Sequence, residues 1–353
     1  TDVEDDAAIQ TVVDKILEAV RLPLVLDGFT LSVDASIGVA VSPRHGDDFE
    51  TLMKRADVAM YQAKAMGSGF EIYSATRDDN SAGKLTLTHD FKSAIEQGQL
   101  GLYYQPQLDF SDRRIQVVEA LVRWQHPVRG LLLPGEFIPL AEKSGLVREL
   151  TRWVLENGLR QNSAWRELGI ELGLAVNVSA RDLVDPAFVS EVAELLRRYS
   201  VPAAALELEI TESAVMPDPE RAITILSQLR SLGVRLSIDD FGTGYSSLAY
   251  LRRLPVTGVK IDKSFVSGLK SGGDGLLIVR ATIEIARLLG LRTVAEGIED
   301  EELWDLAAGL HCDAGQGRWV AHPVSGDQVP WLLSVLRPEI SADELDKLLL
   351  GSD

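Results

Sequence analysis

Apolar residues of the first 75 positions follow two different periods, and together they predict a small α/β unit. They recur at helical spacing over residues 8–20 and 47–66. Residues 22–26 and 31–41 are extended runs joined by Asp27-Gly28, a frequent hairpin dipeptide, and residues 70–73 form a short closing strand. Because so short a unit has little core of its own, we expect further strands or a partner to complete it.

Beyond residues 75–88, which are mostly polar, apolar strands alternate with amphipathic helices. Strands are predicted at 102–108, 115–124, 174–178, 206–210, 235–238, 258–261, 292–295 and near 315–320, with helices at 146–168, 187–199, 219–232 and 275–289. This alternation predicts an α/β fold, either a barrel or a doubly wound sheet, and the number of strands favours a TIM-like (β/α)8 barrel. The predicted domains are 1–76, a linker at 77–86, the barrel at 87–337, and a C-terminal tail at 338–353 with one helix at 341–350.

The charge of the chain narrows the possible functions. Its 353 residues carry 35 Lys and Arg against 53 Asp and Glu, a net charge of −18. Such acidity argues against a DNA- or RNA-coating protein and against binding to anionic membranes, but divalent cations could still bring a nucleotide substrate to an acidic site. No apolar run reaches membrane-spanning length, and the single cysteine, Cys312, favours a reducing cytoplasmic setting. There is no secretory signal and no initiator Met, so we expect a piece of a longer protein.

Polar side chains follow the apolar strands at successive positions along the predicted barrel. They are Glu119, Asn177, Glu209, the pair Asp239-Asp240, Lys260, Glu296 and Gln316. In a barrel these strand ends meet at one rim. The acids and the amide offer oxygen ligands, which suit Mg²⁺, Mn²⁺ or Ca²⁺ better than zinc, and adjacent acids allow two ions to share a ligand. Each residue alone is compatible with a helix cap or a solvated loop, so their joint recurrence is what favours a shared site.

Two further features have open interpretations. The segment Asp240-Phe-Gly-Thr-Gly-Tyr-Ser-Ser-Leu predicts a loop able to approach a phosphate closely, although its spacing matches no common nucleotide motif. Arg123 shares a strand face with Glu119 and Leu121, and its guanidinium could bind a phosphate or form a surface salt bridge.

These motifs carry a resemblance to a known family. Tyr104-Gln-Pro, Glu119-Ala-Leu-Val-Arg-Trp, Asn177-Val-Ser-Ala, Glu209-Ile-Thr-Glu, the Asp239-Asp-Phe-Gly segment, Val259-Lys-Ile-Asp, Ala295-Glu-Gly-Ile-Glu and Cys312-Asp-Ala-Gly-Gln-Gly resemble, in order, the motifs of the EAL family of cyclic-di-GMP phosphodiesterases. Residues 1–75, with Ser36-Ile-Gly-Val-Ala and Ala56-Asp-Val-Ala-Met-Tyr, resemble the C-terminal half of a GGDEF domain. The GGDEF signature is absent from this sequence, so we do not expect the chain to act as a diguanylate cyclase.

The EAL resemblance implies a barrel that hydrolyses cyclic-di-GMP to linear pGpG with two Mg²⁺ or Mn²⁺ ions. It implies that Glu119, Asn177, Glu209 and Asp239 hold the first ion and that Asp239 bridges to a second one near Asp240 and Glu296. Lys260 and Glu296, together with Glu119, would be catalytic. The implied substrate contacts are Gln105, Leu121, Arg123, Asp262, Asp313 and Gln316. Glu212 and Glu299 would brace the loop 240–247, which in this family couples metal binding to dimerisation, so a homodimer is expected.

Two positions depart from the family pattern, and two other functions remain open. Arg318-Trp319 stands where the family usually has Tyr, and Asp182 stands where Gln is common. The same pocket could bind cyclic-di-GMP as a receptor without hydrolysing it. The barrel could also serve as a dimerising regulator that binds no nucleotide.

Overall fold

The computed structural model describes residues 6–20, 24–26, 29–31, 35–66, 69–74, 87–88, 90–242, 251–271 and 273–336. The chain divides into two compact units, Thr1–Asp90 and Phe91–Asp353. The predicted linker at 77–86, the loop positions 243–247 and the predicted helix at 341–350 lie outside the described residues. The exact domain boundaries therefore stay predictions.

The first unit contains the predicted helices and short strands. Its helices are Asp6–Val20 and Phe49–Met66, and its strands are β1 (Leu24–Leu26), β2 (Phe29–Leu31), β3 (Ile37–Val39) and β4 (Phe70–Ile72). Strand β1 pairs antiparallel with β2, with Leu26 opposite Phe29, so two residues connect them as the Asp27-Gly28 dipeptide predicts. The extended run predicted at 31–41 is not one strand, because β2 ends at Leu31 and β3 begins at Ile37.

A closed barrel of eight strands dominates the second unit. Its strands are β5 (Leu100–Asp109), β6 (Ile115–His126), β8 (Gly173–Val178), β9 (Leu206–Thr211), β10 (Arg235–Phe241), β11 (Gly258–Ile261), β12 (Arg292–Ala295) and β13 (Ala314–Gly315), with β7 (Gly130–Leu132) and β14 (Val324–Ser325) as short additions. The predicted barrel is confirmed. The strand expected near 315–320 is short, because pairing extends over Ala314–Gly315 alone.

One strand of the barrel differs from the all-parallel pattern of a TIM barrel. β5 runs antiparallel to both of its barrel neighbours, β6 and β13. The cause is its connection to β6, a tight turn closed by hydrogen bonds between Asp109 and the Arg113–Arg114 backbone. A parallel pair needs a crossover of a dozen or more residues, and this turn is far too short to provide one.

Helices follow the strands and cover the outside of the barrel. They are Pro134–Ser144, Val147–Glu167, Phe188–Arg198, Glu212–Val215, Pro219–Ser231, Lys263–Ser267, Asp274–Leu289, Glu301–Gly309 and Val329–Leu336, with 3-10 turns at Ala203–Ala205 and Gly268–Ser271. The four helices predicted from the apolar pattern agree with these bounds to within a residue. Among the described residues, no helix combines the length and the apolar character needed to cross a bilayer.

Candidate active site

Strand register brings the predicted polar residues to one end of the barrel. Asn177 on β8 lies level with Glu209 on β9, and Glu209 lies level with Ser237 on β10. Because side chains alternate along a strand, residues two apart share the face that points into the barrel. Asp239 therefore follows Ser237 on that face at the carboxyl end of β10.

The adjacent acids Asp239 and Asp240 are placed by an irregularity in β10. The β10–β11 pairing shifts register between Ile238 and Phe241, and Asp240 has a left-handed φ of 54°. In a regular strand two successive side chains point to opposite faces. At a bulge one residue no longer follows this alternation, so the side chains of Asp239 and Asp240 can lie on the same side of the sheet. One carboxylate oxygen from each of Asp239, Asp240 and Glu296 lies within 4.8 Å of the others.

Lys260 is the centre of the cluster. This side chain is 1% exposed, and its ammonium lies 2.6 Å from Glu296, 2.9 Å from Glu209, 3.2 Å from Glu119 and 3.4 Å from Asp239. Four carboxylates thus surround one ammonium group. The site carries an excess of negative charge at a place where little water can screen it.

Glu119 is held by three different donors. Its Oε1 accepts a hydrogen bond from the Asn177 amide at 2.7 Å, and its Oε2 accepts from Gln316 Nε2 at 2.7 Å and from Lys260 at 3.2 Å. Gln316 Nε2 also lies 3.2 Å from Gln105 Oε1, and Gln105 is opposite Glu119 in the β5–β6 register. The orientation of the Glu119 carboxylate is therefore fixed by β5, β8, β11 and the residue after β13.

The environment moves the pKa values of these groups in different directions. Burial lowers the pKa of Lys260, but the surrounding carboxylates, Glu119 foremost, outweigh burial and raise it well above its usual range. Burial and the nearby Glu119 charge raise the pKa of Glu209. Burial also acts to raise the pKa of Glu119, but Lys260, Gln316 and Asn177 stabilise its charged form and lower the pKa overall.

Two carboxyl groups of the acidic cluster, those of Glu296 and Asp240, have pKa values raised toward neutral pH. Burial raises the pKa of Glu296 to about 7 in spite of Lys260, and the charges of Asp239 and Glu119 act in the same direction as burial. Burial, Asp239 and Asp262 raise the pKa of Asp240 to about 6. Carboxyl groups that titrate near pH 7 are suited to proton transfer.

The donor set fits a hard divalent cation. Its members offer carboxylate and amide oxygens, which Mg²⁺ and Mn²⁺ prefer, and no His or Cys belongs to the described cluster. Glu209 Oε1 is buried and has no hydrogen-bond partner among the described residues. An unpaired carboxylate oxygen in a buried acidic cluster is costly unless a cation binds it.

A cavity of about 550 Å³ opens onto the cluster. It is lined by Gln105, Glu119, Asp239, Lys263, Glu296, Gly297, Glu299, Gln316, Gly317 and Arg318. Its volume falls within the range of about 300–1,000 Å³ that is usual for small-molecule sites.

The structure brings some of the predicted substrate residues to this cavity. Gln105 and Gln316 line it. Leu121 is half-buried on β6, two residues beyond Glu119, and Asp262 caps the helix Lys263–Ser267 by accepting from Ser264 N at 3.0 Å. Arg123 is half-buried and is not among the residues that line the cavity. Its guanidinium donates to the Val122 carbonyl at 2.9 Å and lies 5.8 Å from the centroid of the Tyr103 ring.

Asp313 lies apart from the site. Its carboxylate accepts hydrogen bonds from the Thr293 backbone N–H at 2.7 Å and from the Thr293 hydroxyl at 2.8 Å. Ala314 pairs with Val294, so Asp313 is level with Thr293, at the amino end of β12. Glu296 follows the carboxyl end of that strand. The observed role of Asp313 is to join two strand beginnings, not to line the cavity.

The two predicted loop-bracing residues have different contacts. Glu212 Oε1 accepts a hydrogen bond from the Gly242 backbone N–H at 2.9 Å, so it contacts the start of the loop 240–247. Glu299 instead accepts from Lys263 at 2.7 Å and from Arg318 at 2.9 Å. The loop positions from 243 onward lie outside the described residues.

Sequence reasoning assigned no role to three residues near the site, namely Lys263, Arg318 and Asp182. The carboxylate of Asp182 accepts from Ser179 N at 2.8 Å, Ser179 Oγ at 2.6 Å and Thr151 Oγ1 at 2.9 Å, and thereby anchors the segment that follows Asn177. The spacing Ser179-x-x-Asp182 could have indicated this local bond. No spacing in the sequence could have paired Arg318 with Glu299.

Two family models match the chain. The family model described as EAL domain matches residues 88–323, and the model described as Diguanylate cyclase, GGDEF domain, matches residues 1–69. Both resemblances drawn from the motifs are therefore confirmed.

Relatives and solved structures extend this similarity. The bifunctional diguanylate cyclase/cyclic di-GMP phosphodiesterase MucR of Pseudomonas aeruginosa is 40% identical over 92% of this chain and 47% of its own length. The cyclic di-GMP phosphodiesterase PdeR of Escherichia coli is 37% identical over 83% of this chain and 44% of its own length. The chain thus spans about half the length of these curated relatives. A structure of the PaMucR phosphodiesterase in complex with c-di-GMP has a TM-score of 0.67 at 42% identity, covering 69% of this chain and 99% of that chain.

Proposed function

The chain belongs to the EAL domain family, and from this premise we propose that its barrel is a metal-dependent phosphodiesterase that hydrolyses cyclic-di-GMP to linear pGpG. The observation that carries the proposal is the cluster of four carboxylates around Lys260. Three of these carboxylates, those of Glu119, Asp239 and Glu296, line the 550 Å³ cavity and are called its floor. Relatives named as cyclic di-GMP phosphodiesterases and a relative solved with c-di-GMP supply the substrate class.

The proposed cation ligands come from this donor set. Glu119, Asn177, Glu209 and Asp239 would hold one Mg²⁺ or Mn²⁺, and Asp240 and Glu296 with the shared Asp239 would hold a second. When bound, such ions supply stabilisation of phosphoryl charge and make water a better nucleophile at neutral pH.

Glu296 and Lys260 would carry out the proton transfer that hydrolysis requires. Hydrolysis forms a bond from a water oxygen to phosphorus and breaks the bond from phosphorus to the leaving sugar oxygen. The leaving oxygen takes up a proton from solvent water, and the proton of the attacking water passes to solvent by way of an acceptor at the site. Glu296, whose pKa is about 7, can accept the proton of the attacking water. Lys260 holds the Glu296 carboxylate at 2.6 Å and so fixes the direction of that proton transfer.

The Gln316 amide would orient the substrate. Gln316 Nε2 is engaged by Glu119 and Gln105, while its Oε1 is buried and has no hydrogen-bond partner among the described residues. This oxygen is thus available to a donor group of the substrate, such as a sugar hydroxyl or a guanine N–H.

Chromatography of nucleotides after mixing the protein with cyclic-di-GMP and Mn²⁺ tests the proposal. We expect pGpG to form with Mn²⁺, and no product to form with EDTA or with the Glu119→Ala variant. Intact ligand after prolonged incubation, with binding detected by calorimetry, would instead identify a receptor. If calorimetry detects no binding of cyclic-di-GMP, the result would instead identify the barrel as a dimerising regulator that binds no nucleotide.

The proposal includes a homodimer formed through the barrel and a cytoplasmic location. The Glu212–Gly242 hydrogen bond supports a link between the site and the loop that this family uses in dimerisation, because Asp240 lies two residues before Gly242. Sedimentation with and without Mn²⁺ measures the dimer directly. A monomer under both conditions would contradict this part of the proposal.

A further inference from the structure

The rim of the cavity carries two cationic side chains that share one carboxylate. Lys263 Nζ lies 2.7 Å and Arg318 Nη2 lies 2.9 Å from the same oxygen, Oε1 of Glu299. Both cations are exposed, at 58% and 63%, whereas Lys260 at the centre of the acidic cluster is 1% exposed. The three rim groups are therefore held together and still reach solvent.

The backbone near the cavity fixes where the Lys263 and Arg318 side chains lie. Gly297 has a φ of 68°, and a Cβ there would lie 2.3 Å from Lys263 Cγ, so the Lys263 stem packs directly on the glycine. Gln316 O accepts from Ile298 N at 3.0 Å, and Ile298 O accepts from Trp319 N at 3.0 Å, which fixes the turn that presents Arg318. Any side chain at 297 would displace Lys263.

The rim and the floor of the cavity carry opposite charge. Two cations share one carboxylate at the rim, a balance of about one positive charge, whereas several carboxylates share one ammonium at the floor. In a chain of net charge −18 this rim is a local positive region beside an acidic one. A ligand with two separated anionic groups fits this arrangement when cations cover the floor.

We propose that Arg318 and Lys263 bind the second phosphodiester of the cyclic dinucleotide, the one that is not cleaved, and thereby select a substrate with two phosphates. This inference rests on the function proposed above. The two phosphodiesters lie on opposite sides of the dinucleotide ring, so the uncleaved one points away from the cleavage site. Arg123 is less suited to this contact, because its guanidinium already donates to Val122 O and lies over Tyr103.

Steady-state hydrolysis by an Arg318→Ala variant tests the inference. We expect KM for cyclic-di-GMP to rise roughly five- to twentyfold with little change in kcat, because an exposed charge-assisted contact is lost from the bound state. Bis(p-nitrophenyl) phosphate, a diester with one phosphate, serves as the comparison substrate. The ratio of kcat/KM for cyclic-di-GMP over kcat/KM for this diester should fall by a similar factor.

Matched variants separate this contact from a general effect of charge. Arg197→Ala removes an equal charge from an exposed helix, where Arg197 pairs with Glu194, and should leave KM as it is. Lys263→Ala should raise KM in the same direction as Arg318→Ala, and Arg318→Lys should recover part of the loss. The wild-type KM should also rise more steeply with salt than that of Arg318→Ala.

The outcomes distinguish this inference from the function on which it rests. If the wild type hydrolyses cyclic-di-GMP and Arg318→Ala has an unchanged KM, or loses both substrates equally, the inference is wrong and the function stands. If the wild type binds without hydrolysis, the proposed reaction is wrong, and the Kd of Arg318→Ala by calorimetry decides the inference. If the wild type neither binds nor hydrolyses cyclic-di-GMP, both are wrong.

Discussion

The two ends of the barrel interior both bury charged and polar side chains, but they balance them differently. At the amino end, Arg235 lies 3.5 Å from Glu207, and Arg292 donates to Gln107 at 3.2 Å. At the carboxyl end, the ammonium of Lys260 is shared among four carboxylates. The amino end holds two guanidinium groups against one carboxylate, whereas the carboxyl end has a surplus of acid.

This difference separates a structural role from a functional one. The amino-end contacts join strands of the barrel, and their excess charge is positive, so they do not require a cation. An acid surplus in a buried site raises the free energy of the fold unless protons or cations neutralise it. The carboxyl end therefore has an acid surplus that a cation can neutralise, and the amino end, where Arg235 and Arg292 outnumber Glu207, does not.

The largest expected effect comes from removing a surplus carboxylate. Glu119→Ala and Glu296→Gln should each reduce kcat roughly 10²- to 10⁴-fold, because each removes a group that would hold a cation or move a proton. The free energy of unfolding should stay level or increase in Glu296→Gln, because one source of like-charge repulsion is gone. It should fall in Glu119→Ala, because the Asn177 and Gln316 amides lose their acceptor. Product chromatography measures the first effect and thermal unfolding the second.

Near-wild-type hydrolysis by either variant would contradict these roles. A Glu149→Gln variant is a suitable control, because Glu149 is an exposed residue in the first turn of the helix Val147–Glu167. It changes the net charge by the same amount and should preserve both properties.

A variant at the amino end should show the opposite pattern. Glu207→Ala leaves Arg235, whose side chain is 29% exposed, without its partner. We expect the free energy of unfolding to fall by about 1–3 kcal/mol, while kcat at a temperature where the variant is folded changes little. Denaturant unfolding and the hydrolysis assay test this together. A selective loss of kcat without a loss of stability would contradict the division between the two ends.

Much of this comparison could be predicted from the sequence. Polar residues at successive strand ends predicted Glu119, Asn177, Glu209, Asp239 and Glu296 at one rim, because parallel strands of a barrel end on the same side. The alternation of side chains then places each of them inward. Both arguments use only residues that are close together in the sequence, and the folded protein keeps such patterns within each strand.

The remainder depends on long-range register, which sequence patterns do not contain. Asp313 follows Cys312 in a family motif, but its level in the barrel depends on how β13 pairs with β12. The antiparallel direction of β5 depends on the length of one turn. The Glu299–Arg318 contact joins two loops that follow different strands.

The effect of cations on stability should depend on pH, and this is the smallest effect we expect. In the folded protein the pKa of Glu296 is about 7 and that of Asp240 about 6, against ordinary values of 4.5 and 3.8. Both values are raised, so these acids contribute stability that is fully present below the ordinary values and is lost progressively as pH rises to the folded values of about 6 and 7. Cations that bind the ionised carboxylates restore that stability. Mn²⁺ should therefore raise Tm by roughly 2–6 °C more at pH 7.5 than at pH 5.5, as differential scanning fluorimetry would show. Glu296→Gln should make the Tm shift less dependent on pH, because it removes one of the two titrating groups. An equal Tm shift at both pH values in the wild type would show that the acid surplus does not govern cation binding.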